Sequence, residues 1–211
     1  MGAATFFTPE DRKRIEESIR AVERHTAGEV AVMIVDASDT YPEARLRAAL
    51  VMGGLVALAC ADRLLADSLW VFLPLALVLG GIFYLLTGRL PFLTRLFASG
   101  ARMETQVRRA AELAFYDQGL HRTRDRTGVL FFLSLLEHRV WILADAGIYR
   151  KIDQNILNGF ANEVAAGMRR KRGSDALCRQ IEAAGALLAA HFPARADDVN
   201  ELPDTVILGE D

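Results

Sequence analysis

The stretch SLWVFLPLALVLGGIFYLLTG, Ser68 to Gly88, constrains this chain more than any other segment. No charge falls between Asp67 and Arg89, and about twenty apolar residues in helical form match the hydrocarbon thickness of a bilayer. A helix apolar on every side either crosses a membrane or is buried in a core. The run before it, LRAALVMGGLVALACA from Leu46 to Ala61, is nearly as apolar. Extended back to Ala44 or on to Leu65 it reaches spanning length, with Arg47 snorkelling to the interface. The polar break DRLLADS joins the two, so the pattern predicts a transmembrane helical hairpin over residues 44–88, against the competing reading of a buried soluble hairpin. Gly53, Gly54, Gly80 and Gly81 are the small residues expected where its helices approach.

The flanks read differently. Thr8, Pro9, Glu10 and Asp11 form a helix start, with a cap, a proline suited to the first helical position and acids at the positive end of the dipole. Ile15, Ile19 and Val22 give that helix one apolar stripe, and Gly28 is the expected stop. EVAVMIVD, Glu29 to Asp36, is a short valine-rich run suited to a strand covered on both faces. After the hairpin, RLPFLTRLFASG intersperses arginines among apolar residues, the pattern of a segment lying at the bilayer surface or of an ordinary buried connector. Met103, Val107, Ala110, Ala114 and Phe115 then mark a helical face that ends at Gly119. GVLFFLSLL and VWILA, joined by EHR, predict a β-hairpin. Two helices follow, one carrying Ile152, Ile156, Phe160, Val164 and Met168, the other capped by Ser174 and carrying Leu177, Ile181, Ala184 and Leu188. In the acidic tail, TVIL is suited to an edge strand.

The fold class expected is therefore α/β: a small sheet sandwiched by helices, with a transmembrane hairpin inserted between the first strand and the next helix. Residues 1–43 form the first part of the domain, 44–88 the hairpin, 89–100 an interfacial linker, 101–193 the second part and 194–211 the acidic tail. Seven or eight apolar residues make no stable strand alone, so both halves must meet to complete one sheet.

This order resembles the TPM domain, a small α/β domain of bacterial and chloroplast membrane-associated proteins. The stretches that carry the resemblance are TAGEVAVMIV, RTGVLFFLSLLEHRVWILADAGI and IEAAGALLAAHFP, and the ending HFPARADDVNELPDTVIL is similar to that of a subgroup of bacterial membrane proteins with this domain. Many relatives carry Gly-Tyr-Gly after the second hairpin strand, where this chain has Asp145-Ala146-Gly147. The resemblance implies a membrane-anchored module. Weak acid phosphatase activity is assigned to some plant relatives, and others are linked to assembly or repair of membrane complexes. The expected role here is a non-catalytic adaptor or assembly module for other membrane proteins; the alternative is a metal-dependent phosphohydrolase at the membrane surface.

Charge bears on orientation and partners. A net charge of −2 gives no reason to expect a nucleic-acid partner. MGAATFFTPEDRKR passes straight to charge, so no cleavable signal peptide is expected. Arg45 and Arg47 precede the hairpin and Arg89, Arg95 and Arg102 follow it, while Arg63 in the turn is offset by Asp62 and Asp67. The positive-inside rule then places the domain in the cytoplasm of a multi-pass protein of the bacterial inner membrane. Arg102, Arg108, Arg109, Arg122, Arg124 and Arg126 are expected to meet anionic headgroups. Arg169 to Arg172 close a helix, and either complement its dipole or face the same headgroups.

Candidate chemistry rests on carboxylates near strand ends. Asp36, Asp39 and Asp145 are the expected ligands of a hard cation, Ca2+ or Mg2+, with Glu29 and Asp125 just ahead of strands; turn and helix capping is the alternative use. A catalytic metal there would polarise a phosphoryl oxygen. Asp36 and Asp39 lack the spacing of an aspartyl-nucleophile pair, and the phosphate-loop and GxSxG patterns do not occur. Cys60 and Cys178 read as small buried thiols, and the four histidines form no ligand pair in sequence.

Overall fold

A computed structural model describes residues 2–64, 69–195 and 200–209. Asp67 and Ser68 of the polar break and Asp197 and Asp198 of the tail lie outside the described residues. The chain divides into two compact units, Met1–Ser38 with Glu104–Asp211, and Asp39–Met103.

The first unit is α/β. A short helix α1 (Ala3–Phe6) precedes α2 (Pro9–Glu23), which opens with a capping box: Thr8 accepts the Asp11 N–H, and Asp11 accepts the Thr8 N–H. α2 ends at Glu23, ahead of Gly28. Gly28 has no left-handed φ and instead leads into β1 (Glu29–Val35), its N–H bonded to Thr26 Oγ1 at 3.1 Å, so it is not the stop expected. β2 (Gly128–Ser134) and β3 (Arg139–Ala144) are the hairpin strands, and β4 (Ile207–Leu208) comes from the tail. The sheet order is β3-β2-β1-β4. β1 runs parallel to β2 from Glu29↔Gly128 to Val35↔Ser134, β3 is antiparallel to β2, and β4 lies parallel to β1 at its edge.

Helices cover both faces. On one, α2 packs with α9 (Gln154–Arg169) and α10 (Gly173–His191) over Val30, Val32, Ile34, Phe131 and Leu133. On the other, Val107, Ala111, Ala114 and Phe115 of α7 (Gly100–Asp117) meet Ala31, Leu130 and Phe132. All of β2 is buried, which explains its unbroken apolar run, whereas the edge strand β3 alternates buried and half-buried residues. Gly119 ends α7 at φ 76°, in the left-handed region glycine favours. α10 begins at Gly173 with Arg172 before it, so Ser174 lies inside the helix rather than capping it.

Both points at which chain leaves this unit lie at one end of the sheet. Ser38, at the exit of β1, has its hydroxyl 2.8 Å from that of Ser134, the last residue of β2. Glu104, at the return, pairs with Arg139, the register partner of Ser134.

The second unit is helical. α3 (Pro42–Ala48) passes through a wider π-type turn, Ala49–Gly53, into α4 (Gly54–Leu64); then come α5 (Leu69–Arg89) and α6 (Pro91–Phe97). Among the described residues, two helices are long and apolar enough to cross a membrane: Pro42–Asp62, with mean hydropathy 1.6, and Trp70–Arg89, with mean hydropathy 2.1. The second is hardly buried, with Trp70 89% and Leu77 78% exposed. A Cβ on Gly53 would lie 2.6 Å from the Gly80 Cα, so these two glycines set the closest approach; Cβ atoms on Gly54 or Gly81 would meet nothing. The expected linker holds the short helix α6, where Thr94 Oγ1 donates to the Thr87 carbonyl at 2.8 Å. Arg47 donates to the Phe97 carbonyl at 3.1 Å. Arg102 Nη2 lies 3.0 Å from Asp39 Oδ2 and also pairs with Glu43, closing the two ends of the unit on each other.

Candidate functional site

The carboxylates expected to share a metal do not converge. Asp36 follows the C-terminal end of β1. Asp145 follows β3, which runs antiparallel to β2 and so ends beside the start of β1 and β2. A seven-residue strand advances about 20 Å between those ends, whereas calcium ligands lie about 2.3–2.6 Å from the ion. Each aspartate has another occupation. Asp36 accepts the Ala3 N–H and so ties the N-terminal helix to the strand end. Asp39 pairs with Arg102. Asp145 caps the short helix α8 (Ala146–Tyr149), accepting the Ala146 N–H at 2.6 Å, and pairs with Arg126 Nε at 2.8 Å. Among the described residues no group of three or more His, Cys, Asp and Glu side chains is placed to hold a metal ion. Capping and ion pairing thus engage the three aspartates expected as metal ligands.

The six arginines are redistributed as well. Arg102 is held by Asp39 and Glu43, Arg108 by Glu112 at 2.8 Å, and Arg126 by Asp145. Arg109 and Arg122 are exposed. The backbone N–H of Arg124 donates to Glu201 at 3.0 Å. Arg122, Arg124 and Arg126 lie on the approach to β2, at the end of the sheet opposite the points where chain leaves the unit.

Two polar networks do form. At the end where chain leaves, Glu137 is buried, 4% exposed, inside the β2–β3 turn. One carboxylate oxygen accepts the Ser38 N–H at 2.9 Å, and the other accepts the Ser134 hydroxyl. Ser134 is the lone polar residue within GVLFFLSLL, and a hydroxyl in a fully buried strand needs a partner; that was the available sequence signal for this network.

At the opposite end, the Glu23 carboxylate accepts the Val30 N–H at 3.1 Å, taking the place of a strand partner at the β1 edge. Burial, with the nearby carboxylates of Glu29 and Asp204, pushes its acid constant up to about 8 despite that hydrogen bond. Glu29 accepts the Glu201 N–H at 3.3 Å, and Arg20 holds Asp204 at 3.1 Å, so acidic side chains and one arginine tie down the C-terminal segment. Beside them Ala27, Glu29, Thr123, Arg124 and Arg195 help line a pocket of about 10 Å³, the space of one water.

With this geometry, one likeness can be weighed. The chain resembles a solved structure, the NMR structure of BA42 protein from the psychrophilic bacterium Bizionia argentinensis. The TM-score is 0.61 and the identity 20%, over 97% of this chain and 96% of that one. No family model and no curated protein matches the chain. At that identity the likeness shows the shared fold alone.

Proposed function

We propose that this protein is a multi-pass protein of the bacterial inner membrane, whose TPM-like domain acts as a non-catalytic adaptor or assembly module for other membrane proteins. One observation carries the reading. The sheet is completed by chain from both sides of an apolar helical pair, and that pair leaves its leucines and valines exposed. Exposed apolar surface on this scale marks a site of membrane or protein contact, and the length of both helices favours a bilayer. The arginines flanking the pair favour a cytoplasmic domain. Leu113 and Tyr116, 65% and 63% exposed on the outer side of α7, offer the adaptor a contact face.

The first test is alkaline carbonate extraction of membranes holding the full chain. Retention in the pellet is expected, and release would overturn the membrane reading. Orientation is read from an exposed site such as Glu10→Cys, because Cys178 is buried and a reagent would miss it on either side. The adaptor role is tested by a photo-crosslinker at position 113 in native membranes. Discrete adducts that disappear with Tyr116→Asp are expected; no adduct would remove the role.

A further inference from the structure

The turn between α9 and α10 concentrates four cations, Arg169, Arg170, Lys171 and Arg172, all of them exposed. Most arginines described above are held by a carboxylate or a carbonyl. Among the described residues, none of these four side chains forms an ion pair or a hydrogen bond. The backbone of the turn is nonetheless closed by hydrogen bonds. Arg172 N–H donates to the Gly167 carbonyl at 2.9 Å and Lys171 N–H to that of Met168 at 3.1 Å, the paired bonds of a Schellman closure. Lys171 occupies the left-handed position of that closure, at φ 58°, where glycine is the unstrained choice. A strained lysine thus adds a cation where the backbone alone would favour none.

The position of the turn gives these charges a partner. A Cβ on Gly173 would lie 3.4 Å from the Phe7 ring and 3.5 Å from that of Phe6, and α1 is bonded to Asp36 at the end of β1. The turn therefore belongs to the end of the sheet from which Ser38 and Glu104 lead out of the unit. From Ser38 to Pro42, where the first apolar helix begins, is at most about 14 Å of extended chain.

We propose that the Arg169–Arg172 turn docks on anionic lipid headgroups and holds the α/β unit against the bilayer crossed by its own hairpin. This rests on the membrane reading above and names the surface the domain meets. Near an anionic surface each such cation strengthens association about fivefold.

The lysines of the chain are Lys13, Lys151 and Lys171, which gives a direct readout. Lys151 serves as the internal reference, since it lies at the opposite end, bonded to the His191 carbonyl at 2.9 Å. The full chain is placed in nanodiscs of phosphatidylglycerol or of phosphatidylcholine, and acylation of each lysine is timed. Acylation of Lys171 is expected to be at least about fivefold slower in the anionic discs, with Lys151 unchanged. High salt should abolish the difference. Replacing Arg169, Arg170 and Arg172 together by Gln should abolish it too, with Lys171 kept as reporter. Equal Lys171 rates in both discs, with the protein retained, overturn the docking and leave the membrane reading standing. Protection in phosphatidylcholine discs on adding glycerol 3-phosphate would make the turn a soluble-phosphate site and also overturn it. Carbonate-extractable protein overturns the membrane reading itself.

Discussion

Ser38 and Glu137 are 99 residues apart in the chain, and the backbone N–H of the first donates to the buried carboxylate of the second at 2.9 Å. The same carboxylate receives the Ser134 hydroxyl, so the exit of β1 is fixed to the turn of a hairpin built from chain beyond the insertion. Removing it leaves the half-buried Ser38 N–H without its acceptor and the buried Ser134 hydroxyl with only that of Ser38. Glu137→Ala is expected to cost about 2 kcal/mol of stability. Glu137→Gln, which keeps one acceptor oxygen, should cost less. Urea unfolding of the purified chain, followed by tryptophan fluorescence, checks both; equal, negligible losses would show that the network does not hold the strand exit.

The raised acid constant of Glu23 makes stability depend on pH in a defined direction. The folded state binds this proton more tightly than the unfolded chain, where the ordinary value is 4.5. The stabilisation is therefore complete below about pH 4.5 and is lost as pH rises toward about 8. Glu23→Gln keeps an acceptor for the Val30 N–H and removes the charge. The variant should gain on wild type steadily across that window and level off above it. Parallel stability–pH curves for the two proteins would contradict the shift.

Gly53 and Gly54 are neighbours with opposite expected responses. A side chain at Gly53 would collide with the Gly80 backbone, and Gly53→Ala should cost about 1–3 kcal/mol through forced separation of the helices. Gly54→Ala meets open space and should stay within about 0.5 kcal/mol of wild type. Thermal unfolding of the detergent-purified variants distinguishes the two; equal losses would mean the helices do not cross at Gly53.

Asp36 and Asp145 sit at opposite ends of the sheet and share no partner. Their Asn variants should be energetically independent, with a double-mutant coupling below about 0.5 kcal/mol. Calcium or magnesium should not change that value. A coupling that appears only with metal would restore a shared cation site.

Much of the architecture is written locally. Thr8, Pro9 and Asp11 are each sufficient reason for a helix to start where it does, and the unbroken apolar run from Val129 to Leu133 requires a strand covered on both sides. The charge-free stretch from Leu69 to Gly88 fixes the long apolar helix by length and hydropathy alone. Even the separation of Asp36 from Asp145 was legible. A hairpin reverses direction, so a residue after its second strand cannot share an end with one after a strand parallel to its first.

Tertiary structure alone decided what the polar side chains do. Asp39 could serve a metal, a cap or an arginine, and its pairing with Arg102 follows from two chain ends closing on each other. Glu137 in a short polar turn reads as solvent-exposed until Ser134 and the Ser38 N–H are brought against it. The four cations of Arg169–Arg172 gain significance only from the end of the sheet at which α9 turns into α10. The physical reason is range. Hydrophobic periodicity and capping act between residues a few positions apart and are present in the sequence itself. The pairing of charges and hydrogen bonds depends on which distant segments the fold brings within about 3 Å of one another.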